Sequence, residues 1–185
     1  ILVQAVIDDA TVQGRLDLQA NRAVLGDFLV SQTAHLRTIA DLQLNSLRAL
    51  DTLIQAGTAE VGTLDVTGDL DFGTSSSWSL QRATVSGDML LTQQDDADAD
   101  GYYGLLDVGG RLDVAADGLV RGGDALVNGQ VDYRVGTADL GRVRSATADL
   151  SLFGAGRFAA TSLEAPNGRI TLESGSADIG NAEAS

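Results

Sequence analysis

From residue 57 onward, apolar and polar positions recur in one short phrase. It reads Val66-Thr67-Gly68-Asp69-Leu70, then Val85-Ser86-Gly87-Asp88-Met89, Val108-Gly109-Gly110-Arg111-Leu112, Val127-Asn128-Gly129-Gln130-Val131, Ala146-Thr147-Ala148-Asp149-Leu150 and Pro166-Asn167-Gly168-Arg169-Ile170. The central small residue falls at 68, 87, 110, 129, 148 and 168, so the spacings are 19, 23, 19, 19 and 20. Each phrase is followed by apolar residues at alternate positions, such as Leu112 and Val114, Val131 and Tyr133, Leu150 and Leu152, Ile170 and Leu172. Alternation is the period of a strand. A repeat of about 20 residues with one small residue per turn predicts a β-solenoid, parallel β-helix-like, of roughly 19–20-residue coils. Each coil buries its inward side chains only against the coils above and below, which is why the phrase must recur, and glycine admits the bend. The competing reading, turns of a β-sandwich, has to account for a regularity that sandwich strands lack.

A different pattern precedes the repeat. No Gly or Pro lies between Gly26 and Gly57, and residues 31–56 are rich in Leu, Ala, Gln and Arg, which lose little on entering a helix. Ser31 stands where a cap belongs and Gly57 where a stop belongs, while Leu36, Ala40, Leu47, Leu50 and Ile54 follow three-four spacing with Gln43 as the polar break. This predicts an amphipathic helix over 31–56. The same stretch also places Leu36, Ile39, Leu42, Leu44, Leu47, Leu50 and Leu53 at spacings of three or two, as a short-rung solenoid would. Before it, Val12-Gln13-Gly14-Arg15-Leu16-Asp17-Leu18 repeats the phrase and Val24-Leu25-Gly26-Asp27-Phe28 does so less cleanly, so residues 1–30 read as strand-like. The expected class is all-β with one long α-helix. The expected order is a strand-like assembly segment (1–30), the helix (31–56), the solenoid (57–180) and a flexible polar end (181–185).

Charge narrows the function. Among 185 residues, 26 are acidic and 12 basic, for a net charge of -14 and a pI near 4.1, and the Arg residues are scattered. A chain so acidic does not track a phosphate backbone, which excludes nucleic acid. All 12 basic residues are Arg, and the Asp excess suits a protein solvated in high salt, although a GC-rich genome gives the same Arg bias. With 44% apolar residues but only eight aromatics and 22 Gly, the core is one of thin layers of Leu, Val and Ala. There is no Cys for a disulfide or thiolate, and no apolar run long enough for a membrane helix. The opening Ile1 to Ile7 is apolar, is cut off by Asp8 and Asp9, and lacks a basic flank, so it reads as the start of a processed or trimmed chain.

Few residues carry candidate chemistry. The 23-residue spacing marks a coil with an insertion at residues 93–107, where Asp96, Asp98 and Asp100 occupy loop positions 1, 3 and 5, Gly101 position 6, the Tyr102 carbonyl position 7 and Asp107 position 12. This resembles the calcium loop of EF-hand and dockerin-type sites, in which alternate carboxylates converge on one hard cation. The resemblance implies Ca²⁺ held by Asp96, Asp98, Asp100, Tyr102 and Asp107 in a stabilising role. Position 12 is Asp rather than Glu and no flanking helices are evident, and the alternative is a solvated acidic loop. His35 is the only histidine, with no second ligand to share a metal, and reads as a surface or interface residue. Asp65, Asp69, Asp71, Asp113, Asp132 and Asp149 lie on the repeat, where alternation points them outward to solvent. Gly109-Gly110 and Gly122-Gly123 lack the Lys of a phosphate cradle, and Ser75 to Ser77 have no neighbouring His. Trp78, Tyr102, Tyr103 and Tyr133 read as packing, with a sugar-binding face as the alternative. No catalytic residue is assigned, and the chain is read as no enzyme.

Over residues 57–180 the repeat resembles the solenoids of filamentous haemagglutinin-type adhesins, through phrases such as Val85-Ser86-Gly87-Asp88-Met89-Leu90-Leu91. Bactofilin-like polymerising solenoids share the small-residue phrase. A helix before a Gly-rich head resembles type IV pilin-like subunits in architecture, without their apolar first helical half. These resemblances imply an extracellular structural subunit of a filament or pilus, or a surface adhesin with a glycan or protein receptor. Alternatives are a trimeric phage-tail-type fibre and, further off, a polysaccharide-active β-helix, for which six coils at about 4.8 Å give a short groove of about 29 Å. An uncapped solenoid end invites strand addition. Assembly into a homopolymer is therefore expected through Ile1, Leu2, Val3, Val6 and Ile7 as an extended strand, and through Leu36, Leu47, Leu50 and Ile54 on the helix.

Overall fold

Alternation governs the whole chain. The computed structural model describes residues 4–94 and 96–185. Its long strands β1 (Gln4–Val12), β3 (Arg22–Val30), β5 (Asp41–Ala49), β7 (Thr58–Val66), β9 (Trp78–Val85) and β11 (Asp100–Val108) stack in parallel. The short strands β2 (Leu16–Ala20), β4 (Ala34–Thr38), β6 (Thr52–Ala56), β8 (Leu70–Thr74) and β10 (Met89–Gln93) form a second parallel stack. From β12 (Leu112–Val127) through β13 (Val131–Ser145), β14 (Leu150–Ala165) and β15 (Ile170–Ala184), a short leg and a long leg join into one strand. The result is an all-β parallel solenoid of about nine turns with coils of about 19 residues.

The helix expected over 31–56 does not form: β4, β5 and β6 occupy it. The physical reason lies at the corners. The backbone N–H of Gln32 donates to the Gly14 carbonyl, Leu50 to Gln32, Gly68 to Leu50, and Gly87 to Gly68. Gln32 and Leu50 therefore hold the position that glycine holds later, and the corner spacing there is 18 residues. Among the described residues Gly14, at φ 116°, is the one glycine with positive φ, so this corner does not in general need glycine, and its absence was no sign of helix. Helical propensity, worth a few tenths of a kcal/mol per residue, yields to burial of a full inward row.

Each long leg has a bend that shifts the alternation. In β5, Leu42, Leu44, Leu47 and Ala49 point inward, with Asn45 and Ser46 as two successive outward residues. The same break recurs in every coil, at Asp8, Gly26, Asn45, Gly62, Gln81, Gly104, Gly123, Gly141, Thr161 and Gly180, the position between paired rows. Glycine is needed here for close approach. A Cβ on Gly123 would overlap the Gly104 carbonyl oxygen of the coil before it.

The core is one continuous column of inward residues from Ala23 to Ala165, filled by matching large side chains to small ones in adjacent coils. The Trp78 indole covers Gly101 one coil on, and the Tyr103 ring covers Gly122, in each case where a Cβ would collide. Phe72 and Trp78 meet edge to face with ring centroids 5.9 Å apart. β15 continues through residues 181–184, so the segment read as a flexible end is strand nearly to its last residue.

Candidate functional site

The insertion sits at the corner between β10 and β11, and the structure does not gather its carboxylates. Asp96 accepts from Ser76 Oγ at 3.0 Å and from the Asp98 backbone N–H at 3.2 Å. Asp100 begins β11 and forms an ion pair with Arg121 of the next coil at 2.6 Å. Tyr102 faces outward from β11, and Asp107 is at the opposite end of that strand from Asp100. Seven extended residues span about 23 Å of chain, so position 12 does not return to positions 1 to 5 as in an EF-hand. Among the described residues, no three His, Cys, Asp or Glu side chains are grouped to hold a metal. The loop is anchored by Gln93, 1% exposed, whose amide donates to the Asp96 carbonyl at 2.6 Å and accepts from the Gly118 N–H at 3.3 Å.

The repeat carboxylates do work that the outward reading overlooked. Asp51 Oδ1 accepts the backbone N–H of Asp69 at 3.0 Å, Asp69 that of Asp88 at 2.8 Å, and Asp88 that of Arg111 at 2.8 Å. Asp149 does the same for Arg169 at 2.8 Å. At this corner each carboxylate satisfies a donor left over by the turn, which explains the Gly-Asp pairing of the phrase. The sequence signal was the recurrence of Asp one place after the small residue. Asp51, Asp69, Asp71, Asp88 and Asp113, together with His35, line a shallow acidic groove on the short-strand face. Partial burial raises the Asp71 pKa above its ordinary value. His35 Nδ1 is 2.8 Å from an Arg15 guanidinium nitrogen and 3.1 Å from Asp17 Oδ1.

Arg and carboxylate residues pair between adjacent coils. Arg22 meets Asp41 at 2.6 Å, Arg48 meets Asp65 at 2.8 Å, Arg142 meets Glu164 at 2.7 Å, and Arg157 meets Asp178 at 2.9 Å. Arg111 bridges Asp113 at 2.7 Å and Asp132 at 2.6 Å. The exposed pairs, Arg22 with Asp41, Arg48 with Asp65 and Arg157 with Asp178, are each worth little and tune the stacking of coils rather than cause it, whereas the carboxylates of Asp132 and Glu164 are largely buried. The aromatics divide: Trp78, Tyr103 and Tyr133 are buried in the core, and Tyr102 is exposed.

The expected assembly residues separate by location. Ile1, Leu2 and Val3 lie outside the described residues. Leu36, Leu47 and Ile54 are core residues at 1%, 1% and 0% exposure, and with the helix gone they form no common outward stripe. Leu50 is 47% exposed at a corner. Val6 and Ile7 are in β1, exposed by 63% and 38%; Val6 faces outward, whereas Ile7 belongs to the inward row that continues as Leu25 and Leu44.

Ile7 lies in the first described strand, paired on one side only, with β3. Among the described residues no strand pairs with the outer edge of β1 or of β15. In β15 the inward Ile170, Leu172 and Ile179 are only partly buried against the core, and Ala177, Ala182 and Ala184 are exposed. Within the described residues these outer edges carry backbone groups without a strand partner beside apolar rows. No protein-family model, curated protein or solved structure matches the chain.

Proposed function

We propose that this protein is a structural subunit that assembles end to end into a filament. The observation that carries the reading is the uniform parallel stack, in which each coil from β3 to β14 adds to the next by the same backbone pairing and continues the same inward rows. A coil from another copy adds to such a stack by the same backbone pairing and the same inward rows, with little rearrangement. An acidic surface with a net charge of -14 disfavours side-by-side aggregation while leaving the ends free to meet. The trimeric-fibre alternative relied on a helical coiled coil in residues 31–56, and that segment is strand.

Negative-stain electron microscopy and sedimentation velocity on the purified 185-residue chain test the proposal. Filaments or a concentration-dependent polymer series are expected; a monomer at every concentration would overturn it. Calcium enters this reading only as a stabiliser acting at Asp96 and Asp98. A calcium-dependent rise in melting temperature that Asp98→Ala removes is its test, and no rise in the wild type ends that part.

A further inference from the structure

A shallow groove of about 580 Å³ runs along the side of the solenoid, across the part of the long strands that precedes the bend. Arg22, Asp41, Gln43, Thr58, Glu60 and Ser79 line it. Its polar wall is already ordered: Arg22 pairs with Asp41 at 2.6 Å, and Asp41 accepts from Thr58 Oγ1 at 2.8 Å. Gln43, Glu60 and Ser79 occupy one outward row parallel to the axis, and the same row continues with Tyr102 and Arg121. These five rows span about 19 Å. Each of them has a paired row on both sides, from Val24 before Gln43 to Asp139 after Arg121, so the groove does not depend on either end of the stack.

Tyr102 stands at the end of this groove, 40% exposed. Its side chain lies down along β11, and its hydroxyl reaches Gly104, 3.6 Å from where a Cβ on that glycine would sit. Gly62, Gly104 and Gly123 in the adjoining bend row have no side chains to cover the ring, and Gln81, the other member, turns to Ser79, donating from Nε2 to Oγ at 3.3 Å. Arg121, one row on, is held by Asp100 at 2.6 Å. A flat ring with hydrogen-bonding groups ranged on both sides suits a pyranose. The C–H face of the sugar meets the electron-rich face of the ring, and its hydroxyls meet amide, carboxylate and guanidinium groups. Charge selects among sugars: a net charge of -14, with Asp41 and Glu60 in the groove, repels an acidic chain. The straight row selects the linkage, since an extended chain lays successive rings over successive coils about 4.8 Å apart, whereas a wound chain leaves the row. We propose that this face binds a neutral, extended, β-1,4-linked polysaccharide, with Tyr102 as the stacking platform and Gln43, Glu60, Ser79 and Arg121 as hydrogen-bonding partners. The site is lateral, so a single chain and a filament present it alike.

Isothermal titration calorimetry of the whole chain with cellohexaose, mannohexaose and xylohexaose tests the proposal. At least one of the three is expected to bind. Maltohexaose, whose α-linked chain winds, and hexagalacturonate, which is anionic, are expected to bind at least about tenfold more weakly. Tyr102→Ala is expected to weaken binding by about tenfold or more and Tyr102→Phe by under about threefold, because the ring and not the hydroxyl stacks. Phe153→Ala, which removes a half-exposed aromatic from the short face, is expected to leave the affinity unchanged. Circular dichroism checks the fold of each variant, and if Tyr102→Ala does not fold, Tyr102→Leu removes the flat ring while keeping apolar bulk. Binding of none of the three, equal binding of maltohexaose or hexagalacturonate, or wild-type affinity without the ring would overturn the site. Filament formation is read separately by electron microscopy, so either reading can fail while the other stands.

Discussion

The hydroxyls of Tyr103 and Tyr133 meet 2.7 Å apart in the core, each from a side chain at most 1% exposed. Tyr103 comes from the long leg of one coil and Tyr133 from the short leg of the next, so this single hydrogen bond ties two sides of the solenoid together across its interior. The Tyr103 ring has room because Gly122, one row on, has no Cβ. Each hydroxyl is the other's partner within the buried column.

Removing one hydroxyl strands the other. Tyr103→Phe or Tyr133→Phe should each cost about 1–3 kcal/mol, and the double Phe variant should cost clearly less than the sum. Equilibrium denaturation of the four proteins checks this; additive losses would mean that the pair is not coupled. Burial pushes both tyrosine pKa values above the ordinary one, for Tyr103 with a further push from Asp124. A raised folded-state pKa means that the unfolded chain releases its protons first. Stability from this pair is therefore intact below about pH 10 and declines as pH rises above it. The double Phe variant should lose less stability than the wild type between neutral pH and pH 11.

Glycines differ by what lies over them. Gly123→Ala drives a Cβ into the Gly104 backbone and should cost about 3 kcal/mol, whereas Gly73→Ala meets only the Thr92 hydroxyl, at 3.0 Å, and should cost under about 1 kcal/mol. Gly101→Ala strikes the Trp78 indole, and a second change, Trp78→Leu, should recover part of that loss. Melting temperatures of the four variants give the order, and equal losses at Gly123 and Gly73 would contradict it.

Asp69 is both an acceptor and one of a column of like charges with Asp51 and Asp88. Asp69→Asn keeps an acceptor and removes a charge, so it should be neutral or stabilising at low salt. Asp69→Ala leaves the Asp88 N–H without its partner and should destabilise by about 1 kcal/mol. Molar salt should raise the wild-type melting temperature and narrow its gap to Asp69→Asn, because screening relieves the column. A wild type indifferent to salt would count against both this repulsion and a high-salt habitat.

Ile54 and Leu50, four residues apart and on one face of the expected helix, lie in opposite environments in the solenoid. Ile54→Ala opens a cavity at a fully buried position and should cost about 2–5 kcal/mol, while Leu50→Ala, at a corner that is 47% exposed, should change stability by under about 0.5 kcal/mol. Chemical denaturation distinguishes this from a shared helical stripe, which would make the two losses alike.

The repeat was legible where its corner carried a small residue, from Gly68 to Gly168. The coils before it were hidden because Gln32 and Leu50 stand at the same corner, and because leucines spaced by three across a bend imitate a helix. The alternative spacing of threes and twos from Leu36 to Leu53 held the right period, although Ile39, Leu50 and Leu53 proved not to be its inward members. The acidic loop departs from the calcium-loop pattern for a related reason. A spacing of 1, 3, 5 and 12 brings ligands together only if the chain coils, and here β11 draws Asp107 away from Asp100.

By itself the sequence determined the coil. Alternation chooses strand, and a recurring small residue sets where the chain turns, both of them local properties of consecutive residues. Which side chain lies over which glycine, and which N–H each Asp accepts, were decided by stacking in the third dimension. Those relationships join residues one coil or more apart, and corners of different length, including the insertion between β10 and β11, leave them in place.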